Sequence, residues 1–280
     1  MRPWWPGSGT WSEPVAGLVD ALADLVLSRS DRPGWVLGLS GAQGSGKSTL
    51  TAKLASILEA EGRSCAVLSL DDVYLGPEAR ADLARRVHPL FAVRGPPGTH
   101  DPALALSVLE ALGRPGPVRL PRFDKGRDAP VPEAGRPVFE GPADVVILEG
   151  WCLGARPDPS AAASAPINAL EREHDADGTW RGAVEAALAG RYADLFKAPD
   201  LTVFLRAPDF PTVRRWRGEQ EADLARAIAA GRPGRAMDAA ELDDFLARYE
   251  RITRRLIADP PGDIVVDLAP DRTPGPLQRR

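Results

Sequence analysis

Residues 41–48 read Gly-Ala-Gln-Gly-Ser-Gly-Lys-Ser, directly after the apolar run Trp35-Val36-Leu37-Gly38-Leu39 and directly before a segment with helical spacing. That order, a strand, then G-x-x-x-x-G-K-S, then a helix, constrains the fold more than any other feature of the chain. Glycines let the backbone curl round a phosphate chain with its N–H groups turned inward, and the helix N-terminus adds a partial positive charge. Gly41, Ala42, Gln43, Gly44, Ser45, Gly46, Lys47, Ser48 and Thr49 are therefore the expected binding segment for a nucleoside triphosphate. Lys47 is expected to reach the β- and γ-phosphates from an exposed loop, and the Ser48 hydroxyl to ligate Mg²⁺. Lysine is otherwise found only at positions 53, 125 and 197, so composition does not explain its presence here.

Four further apolar runs, at 65–70, 145–148, 201–205 and 264–268, lack polar alternation, and helical segments separate most of them. Strands buried on both faces read this way in an α/β protein with a parallel sheet. Helices are expected over 13–27, 48–61 and 209–230, the last with Pro211 near its start. The Pro- and Gly-rich stretches at 95–98, 114–117, 129–142 and 156–166 read as loops within one domain. No repeat of 20–50 residues points to a solenoid or propeller. Residues 1–34 are expected to form a helical segment stapled to the core by Trp4, Trp5 and Trp11, ahead of a single domain over 35–280.

Composition narrows the function. The chain of 280 residues carries 35 Lys+Arg against 39 Asp+Glu, a net charge of −4, which excludes a protein built to coat nucleic acid or anionic membrane. No apolar run approaches the roughly 20 residues of a membrane span. The opening residues 1–11 hold no basic stretch leading into an apolar one, so a secretory signal is not expected. Cys65 and Cys152 have no partner at metal spacing and read as packed, reduced thiols. A cytoplasmic protein, monomeric and without nucleic-acid or membrane partners, is the expectation. His88 and His174 lie in polar stretches and need no role, and Trp151 reads equally as pocket wall or core.

Two of the apolar runs end in acids. Ser69-Leu70-Asp71-Asp72-Val73-Tyr74 follows one, and Val145-Val146-Ile147-Leu148 runs into Glu149-Gly150. In open α/β sheets ligands sit at the carboxyl ends of strands, so these carboxylates face the phosphate loop. Phosphoryl transfer to a hydroxyl needs a carboxylate to orient the hydroxyl and take its proton. Glu149 fits the second acidic element of a phosphate-loop site, holding Mg²⁺ directly or through water. Capping of a local turn remains open for each of them.

The Lys47 loop, Asp72-Val73-Tyr74 and Glu149-Gly150 together resemble the uridine kinase, phosphoribulokinase and pantothenate kinase group. More narrowly, the chain resembles the D-glycerate 3-kinases of plants and bacteria. The matching segments are Leu68-Ser69-Leu70-Asp71-Asp72-Val73-Tyr74, Arg94-Gly95-Pro96-Pro97-Gly98-Thr99-His100-Asp101, Pro121-Arg122-Phe123-Asp124-Lys125 and Glu149-Gly150-Trp151-Cys152-Leu153-Gly154. Trp216-Arg217 and residues 245–249 also fit. After Lys125 the chain departs from the pattern, passing quickly through Gly126-Arg127-Asp128 into prolines.

The resemblance implies a three-layer P-loop NTPase fold with a parallel sheet of about five strands and a helical lid near 206–235. It implies transfer of a phosphoryl group from MgATP to the 3-hydroxyl of D-glycerate, with ATP and Mg²⁺ as cofactors. By the same resemblance Asp72 is the base. Neighbours on a strand end point to opposite sides, which sends Asp71 toward the metal with Ser48 and Glu149. Arg94, His100, Arg122 and Lys125, with Asp124, would form a cationic wall for a small hydroxy acid. Of Arg206, Arg214, Arg215 and Arg217, all following the 201–205 run, Arg217 is the first choice for the transferring phosphoryl group. A kinase for a nucleoside or pantothenate is the rival of the same class, and a nucleotide-driven switch or ATPase the rival of another.

Overall fold

The first strand, β1 (Trp35–Gly41), is buried along its whole length and carries the phosphate loop at its carboxyl end. The structure, a computed structural model, describes residues 13–231 and 234–280. Trp4, Trp5 and Trp11 lie outside the described residues. A helix α1 (Glu13–Arg29) precedes β1, and α2 (Lys47–Ala60), β2 (Cys65–Ser69), α3 (Pro77–Arg86) and α4 (Pro102–Leu112) follow it. Next come the short strands β3 (Gly116–Arg119), β4 (Phe123–Asp124), β5 (Ala129–Pro130) and β6 (Val138–Gly141), then β7 (Val145–Gly150). The chain continues through α5 (Ala169–His174), α6 (Thr179–Ala189), α7 (Arg191–Phe196), β8 (Leu201–Arg206) and α8 (Phe210–Ala229). It finishes with α9 (Ala239–Ala258), β9 (Ile264–Leu268) and β10 (Pro274–Arg279).

Six strands form the main sheet in the order β10-β9-β8-β1-β7-β2. The five from β9 to β2 are parallel, and these are the five apolar runs of the sequence. β10 pairs antiparallel with β9 at the edge, a strand that sequence reading did not anticipate. Pro274, Gly275 and Pro276 disguise it, and proline is tolerated there because an edge strand need not donate on both sides.

Alternation along the strands divides the core into two layers. Val36, Leu68, Val146, Leu148 and Phe204 face one side, packed with Leu109 of α4, Val184 of α6, Leu195 of α7 and Ile252 and Leu256 of α9. Leu37, Leu39, Ile147, Val203 and Val266 face the other, against Leu22 and Val26 of α1 and Leu54 and Leu58 of α2.

Part of the chain read as loop has structure of its own. β3 pairs with β6 and β4 with β5, both antiparallel, so residues 116–141 hold two small ribbons. Neither offers an apolar run, which is why the prolines dominated the reading. The alanine- and serine-rich stretch after β7 buries Ala155 and Ala161 and is tied down by Arg181 and Arg251, which donate to the Ala161, Ser164 and Ala165 carbonyls. Arg181 lies between Glu171 and Asp175, with all three side chains at most 2% exposed. Arg251 and Arg255 of α9 reach back to Glu171 and Glu185.

Candidate active site

The phosphate loop is shaped by left-handed glycines and braced from behind. Gly44 and Gly46 hold φ of +78° and +86°, a region that glycine enters without steric cost. A Cβ on Gly44 would lie 2.6 Å from the Trp216 Cβ of α8. The Arg272 guanidinium donates to the Gly44 carbonyl at 2.8 Å, and the Trp216 indole donates to the Pro270 carbonyl at 2.8 Å. Gly44→Ala is therefore expected to lower stability by at least about 1–2 kcal/mol, the cost of the left-handed backbone alone, in a denaturant melt. Gly46→Ala has the same backbone cost but meets open space, so it should be the milder change. Arg272 has no place in the sequence motif, and nothing local could have marked it.

Lys47 differs from expectation in its setting. It is the first residue of α2 and only 9% exposed, not on an open loop, and its ammonium donates to the Ala42 carbonyl at 3.0 Å. Burial pushes its pKa down, against the opposing pull of the Glu149 and Asp71 charges.

Three elements meet at Glu149. Its Oε1 accepts from the Ser69 hydroxyl at 2.6 Å, and its Oε2 lies 3.5 Å from the Ser48 hydroxyl. Glu149 thus joins the end of β7 to the start of α2 and the end of β2. Ser69 caps the 3₁₀ turn Leu70–Val73: its hydroxyl accepts from the Asp71 N–H at 3.2 Å, and its own N–H donates to Asp72 at 3.3 Å. Asp71 and Asp72 therefore sit in a tight turn, not on a strand end, and the opposite-sides argument for them does not apply. They diverge because successive residues of a 3₁₀ turn are about a third of a turn apart.

Each of the two acids has its own cation. The Lys125 ammonium lies 2.6 Å from Asp71 Oδ2, and the Arg122 guanidinium 3.1 Å from Asp72 Oδ2. Desolvation raises the Asp71 pKa, but the charge and hydrogen bond of Lys125 outweigh it and hold Asp71 down to about 2. Desolvation wins at Asp72: Arg122 and the Ser69 N–H oppose it, Asp71 and Glu149 add to it, and the carboxyl is pushed up to about 6. Neighbouring carboxylates are thus separated into one that stays ionised and one that titrates near neutrality.

The remaining residues expected in the cationic wall divide. Arg94 ion-pairs with Asp128 and lies with its guanidinium 5.5 Å from the Phe123 ring centroid. Fully buried Arg80 holds the same Asp128, along with the Leu75 and Ala92 carbonyls. Asp124 turns back on its own loop, accepting from the Gly126 and Arg127 N–H groups at 2.9 and 3.1 Å. His100 is not cationic: at 3% exposure, burial pushes its pKa down to about 3. Its ring stacks on Tyr74 at 4.2 Å, and its Nδ1 is 2.7 Å from the Tyr192 hydroxyl.

Arg217 is tied within its own layer, ion-paired to Glu221 and 5.4 Å above the Phe245 ring. Arg206 and Arg214 are paired with Asp267 and Asp243, and Arg215 donates to the Pro270 carbonyl. Arg217 is the least exposed of the four, at 20%, and follows the Trp216 that touches Gly44. Two surface cavities, of about 260 and 440 Å³, are lined by no residue of the phosphate loop or the acidic turn.

No family model matches the chain. It is 30% identical over 265 residues to the chloroplastic D-glycerate 3-kinase of Arabidopsis thaliana, covering 87% of this chain and 54% of that protein. The chain therefore spans only about half the length of that relative. It is 33% identical over 226 residues to the uncharacterized kinase mug58 of Schizosaccharomyces pombe, covering 77% of this chain and 78% of that one. Among solved structures, D-glycerate 3-kinase from Cryptococcus neoformans superposes with a TM-score of 0.76 at 25% identity, covering 94% of this chain and 99% of that one.

Proposed function

We propose that this chain, which belongs with the kinases by its likeness to the fission-yeast relative, is a P-loop D-glycerate 3-kinase that transfers the γ-phosphoryl group of ATP to the 3-hydroxyl of D-glycerate. The observation that carries this reading is the pair of contacts Arg122–Asp72 and Lys125–Asp71, made by one ribbon beside Glu149 and the start of α2. A hydroxy acid brings both groups such a site can use. Its carboxylate competes with the aspartates for the cations, and its hydroxyl faces the carboxyl that titrates near neutrality. A nucleoside would look for stacking faces and amide groups, yet segments 94–101 and 121–125 hold one aromatic carbocycle, Phe123, and no Asn or Gln.

In this reading the backbone of the phosphate loop and Lys47 hold the β- and γ-phosphates, and Arg217 covers the transferring group. Asp72 orients the hydroxyl and takes its proton. Arg122 and Lys125 hold the acceptor carboxylate, with Arg94 shaping the same wall through Asp128 and Phe123. Positioning supplies most of the acceleration, since the transition state has little covalent bonding to assist.

Among the described residues no cluster of three or more His, Cys, Asp or Glu side chains is placed to hold a metal ion. Mg²⁺ in a kinase takes one or two protein oxygens and fills its shell with phosphate and water. Ser48 and Glu149, 3.5 Å apart, would supply those oxygens, with Asp71 nearby, and a bound Mg²⁺ would contribute neutralisation of phosphate charge there. Glu149→Gln is accordingly expected to raise the Mg²⁺ concentration for half-maximal rate several-fold more than it raises KM for the acceptor. Equal Mg²⁺ titrations for the variant and the wild type would leave Glu149 as a brace for Ser69. No described helix is long and apolar enough to cross a membrane. The buried, unpaired thiols of Cys65 and Cys152 support a reducing compartment; a cytoplasmic monomer acting on a small molecule is our reading.

Arg122→Gln is expected to raise KM for D-glycerate by roughly 10- to 150-fold, the worth of a hydrogen bond to a charged group. It should also move the acidic limb of the pH–rate profile to higher pH, since Arg122 is what lowers the Asp72 pKa. The direct experiment follows ADP release with MgATP and D-glycerate, uridine or pantothenate in turn. D-glycerate is expected to stimulate release strongly and the other two weakly. Stimulation by uridine or pantothenate alone would overturn the named acceptor, and full turnover without any acceptor would favour the switch.

A further inference from the structure

We infer that Tyr192 is a positioning residue that locks His100 as the neutral Nε2–H tautomer, so that the buried Nε2–H is held ready to donate to an oxygen of the acceptor. This rests on the kinase reading above for the identity of the acceptor, but not for the tautomer.

The argument is a count of donors. The Tyr192 oxygen receives the Gly98 N–H at 2.9 Å and the His100 N–H at 3.2 Å, and lies 2.7 Å from His100 Nδ1. A phenol oxygen accepts through two lone pairs and donates one hydrogen. Two backbone donors fill the acceptor capacity, so the hydroxyl hydrogen goes to Nδ1, which must be unprotonated. The proton of the neutral ring is then on Nε2. Burial pushes the Tyr192 pKa up, which keeps its hydroxyl hydrogen in place, and pushes that of His100 down, which keeps the ring neutral.

Nε2 is fully buried and has no hydrogen-bond partner among the described residues. A buried donor left unpaired costs free energy, so the pattern is that of a site whose partner arrives with the ligand. The ring's surroundings say which ligand. It stacks on Tyr74, two residues after Asp72, and the charge it feels is that of Asp71. The Tyr192 hydroxyl also fixes the Gly98–His100 backbone, so one residue on α7 sets both the path of this loop and the proton of its histidine. A neutral donor here would recognise an acceptor oxygen without adding charge beside Arg122 and Lys125.

The chain has three histidines, so their ring nitrogens can be resolved by ¹⁵N NMR of the labelled wild-type protein. His100 is expected to show a pyrrole-type Nε2 and a pyridine-type Nδ1, with the Nε2 signal moving when D-glycerate is added. A protonated Nδ1 overturns the proposal whatever the acceptor, and a fixed tautomer whose Nε2 ignores D-glycerate overturns the donor role. Kinetics supply the second arm. Tyr192→Phe keeps the ring and its edge contact with Phe196, and it should yield mixed tautomers and raise KM for D-glycerate about tenfold, with kcat changed less. His100→Gln, whose amide can donate from the ε position, should retain more affinity than His100→Asn. Equal losses in Gln and Asn variants, or a Tyr192→Phe protein with one tautomer and unchanged KM, would contradict it. If the wild type ignores D-glycerate in ADP release but keeps the Nε2–H tautomer, the acceptor assignment fails and the Tyr192–His100 lock stands.

Discussion

Lys47→Ala is expected to cut the rate of phosphoryl transfer by roughly 10²–10³-fold or more, the scale seen when a positioned electrostatic partner of the transition state is removed. The same substitution should barely change folding. Burial already disfavours the charged lysine, and against that relief the fold loses the attraction of Lys47 to Glu149 and Asp71 and its hydrogen bond to the Ala42 carbonyl, worth about 1 kcal/mol. A thermal melt within a few degrees of the wild type, beside a collapsed rate, is the expected pair of results. The lysine is thus an expense to the ligand-free fold and a gain once phosphates fill the loop. A folded Lys47→Ala protein with wild-type turnover would remove the phosphate loop from the mechanism.

Asp72→Asn is expected to lower kcat by roughly 10²–10⁴-fold, the usual contribution of a positioned acid–base group, with ATP affinity little changed. The choice of Asp72 over Asp71 follows from their surroundings. Lys125 holds Asp71 ionised down to about 2, a poor proton acceptor, whereas Asp72 is pushed up to about 6. A base must be deprotonated to act, so kcat/KM for the wild type should rise with pH through about 6 and level off above it. The Asn variant should lack that limb. Greater damage from Asp71→Asn, or an unchanged limb in Asp72→Asn, would exchange the two roles.

The sequence already exposed the parallel strands, because strands buried on both faces leave unbroken apolar runs. It could not expose β10, whose Pro274-Gly275-Pro276 start reads as a turn, nor the ribbons around Arg122 and Lys125, which lack any apolar pattern. The same division runs through the site. Residues 41–49, Asp71, Asp72 and Glu149 are legible because each stands at, or in the turn just after, the end of a readable strand. Of their partners, Arg122, Lys125 and His100 stand out only through the family resemblance, and Arg272 and Tyr192 not at all. Arg272 reaches Gly44 across 228 residues, Arg122 reaches Asp72 across 50, and Tyr192 reaches His100 across 92. In a chain this rich in arginine, no spacing marks which guanidinium faces a ligand and which, like Arg181, is locked among buried carboxylates. The charge of His100 was misread for the same reason: its residue type allows a cation, and only its burial and Tyr192 forbid one.

The central claim is that the acceptor is D-glycerate and the reacting group its 3-hydroxyl, and phosphorus NMR of the product tests both at once. The protein is incubated with MgATP and D-glycerate, and the phosphate ester is compared with authentic 3-phosphoglycerate and 2-phosphoglycerate. The account predicts a single new ester matching the 3-phospho compound, formed at least about a hundredfold more slowly when Asp72→Asn replaces the wild type. The 2-phospho isomer, or inorganic phosphate with no ester at all, would contradict it.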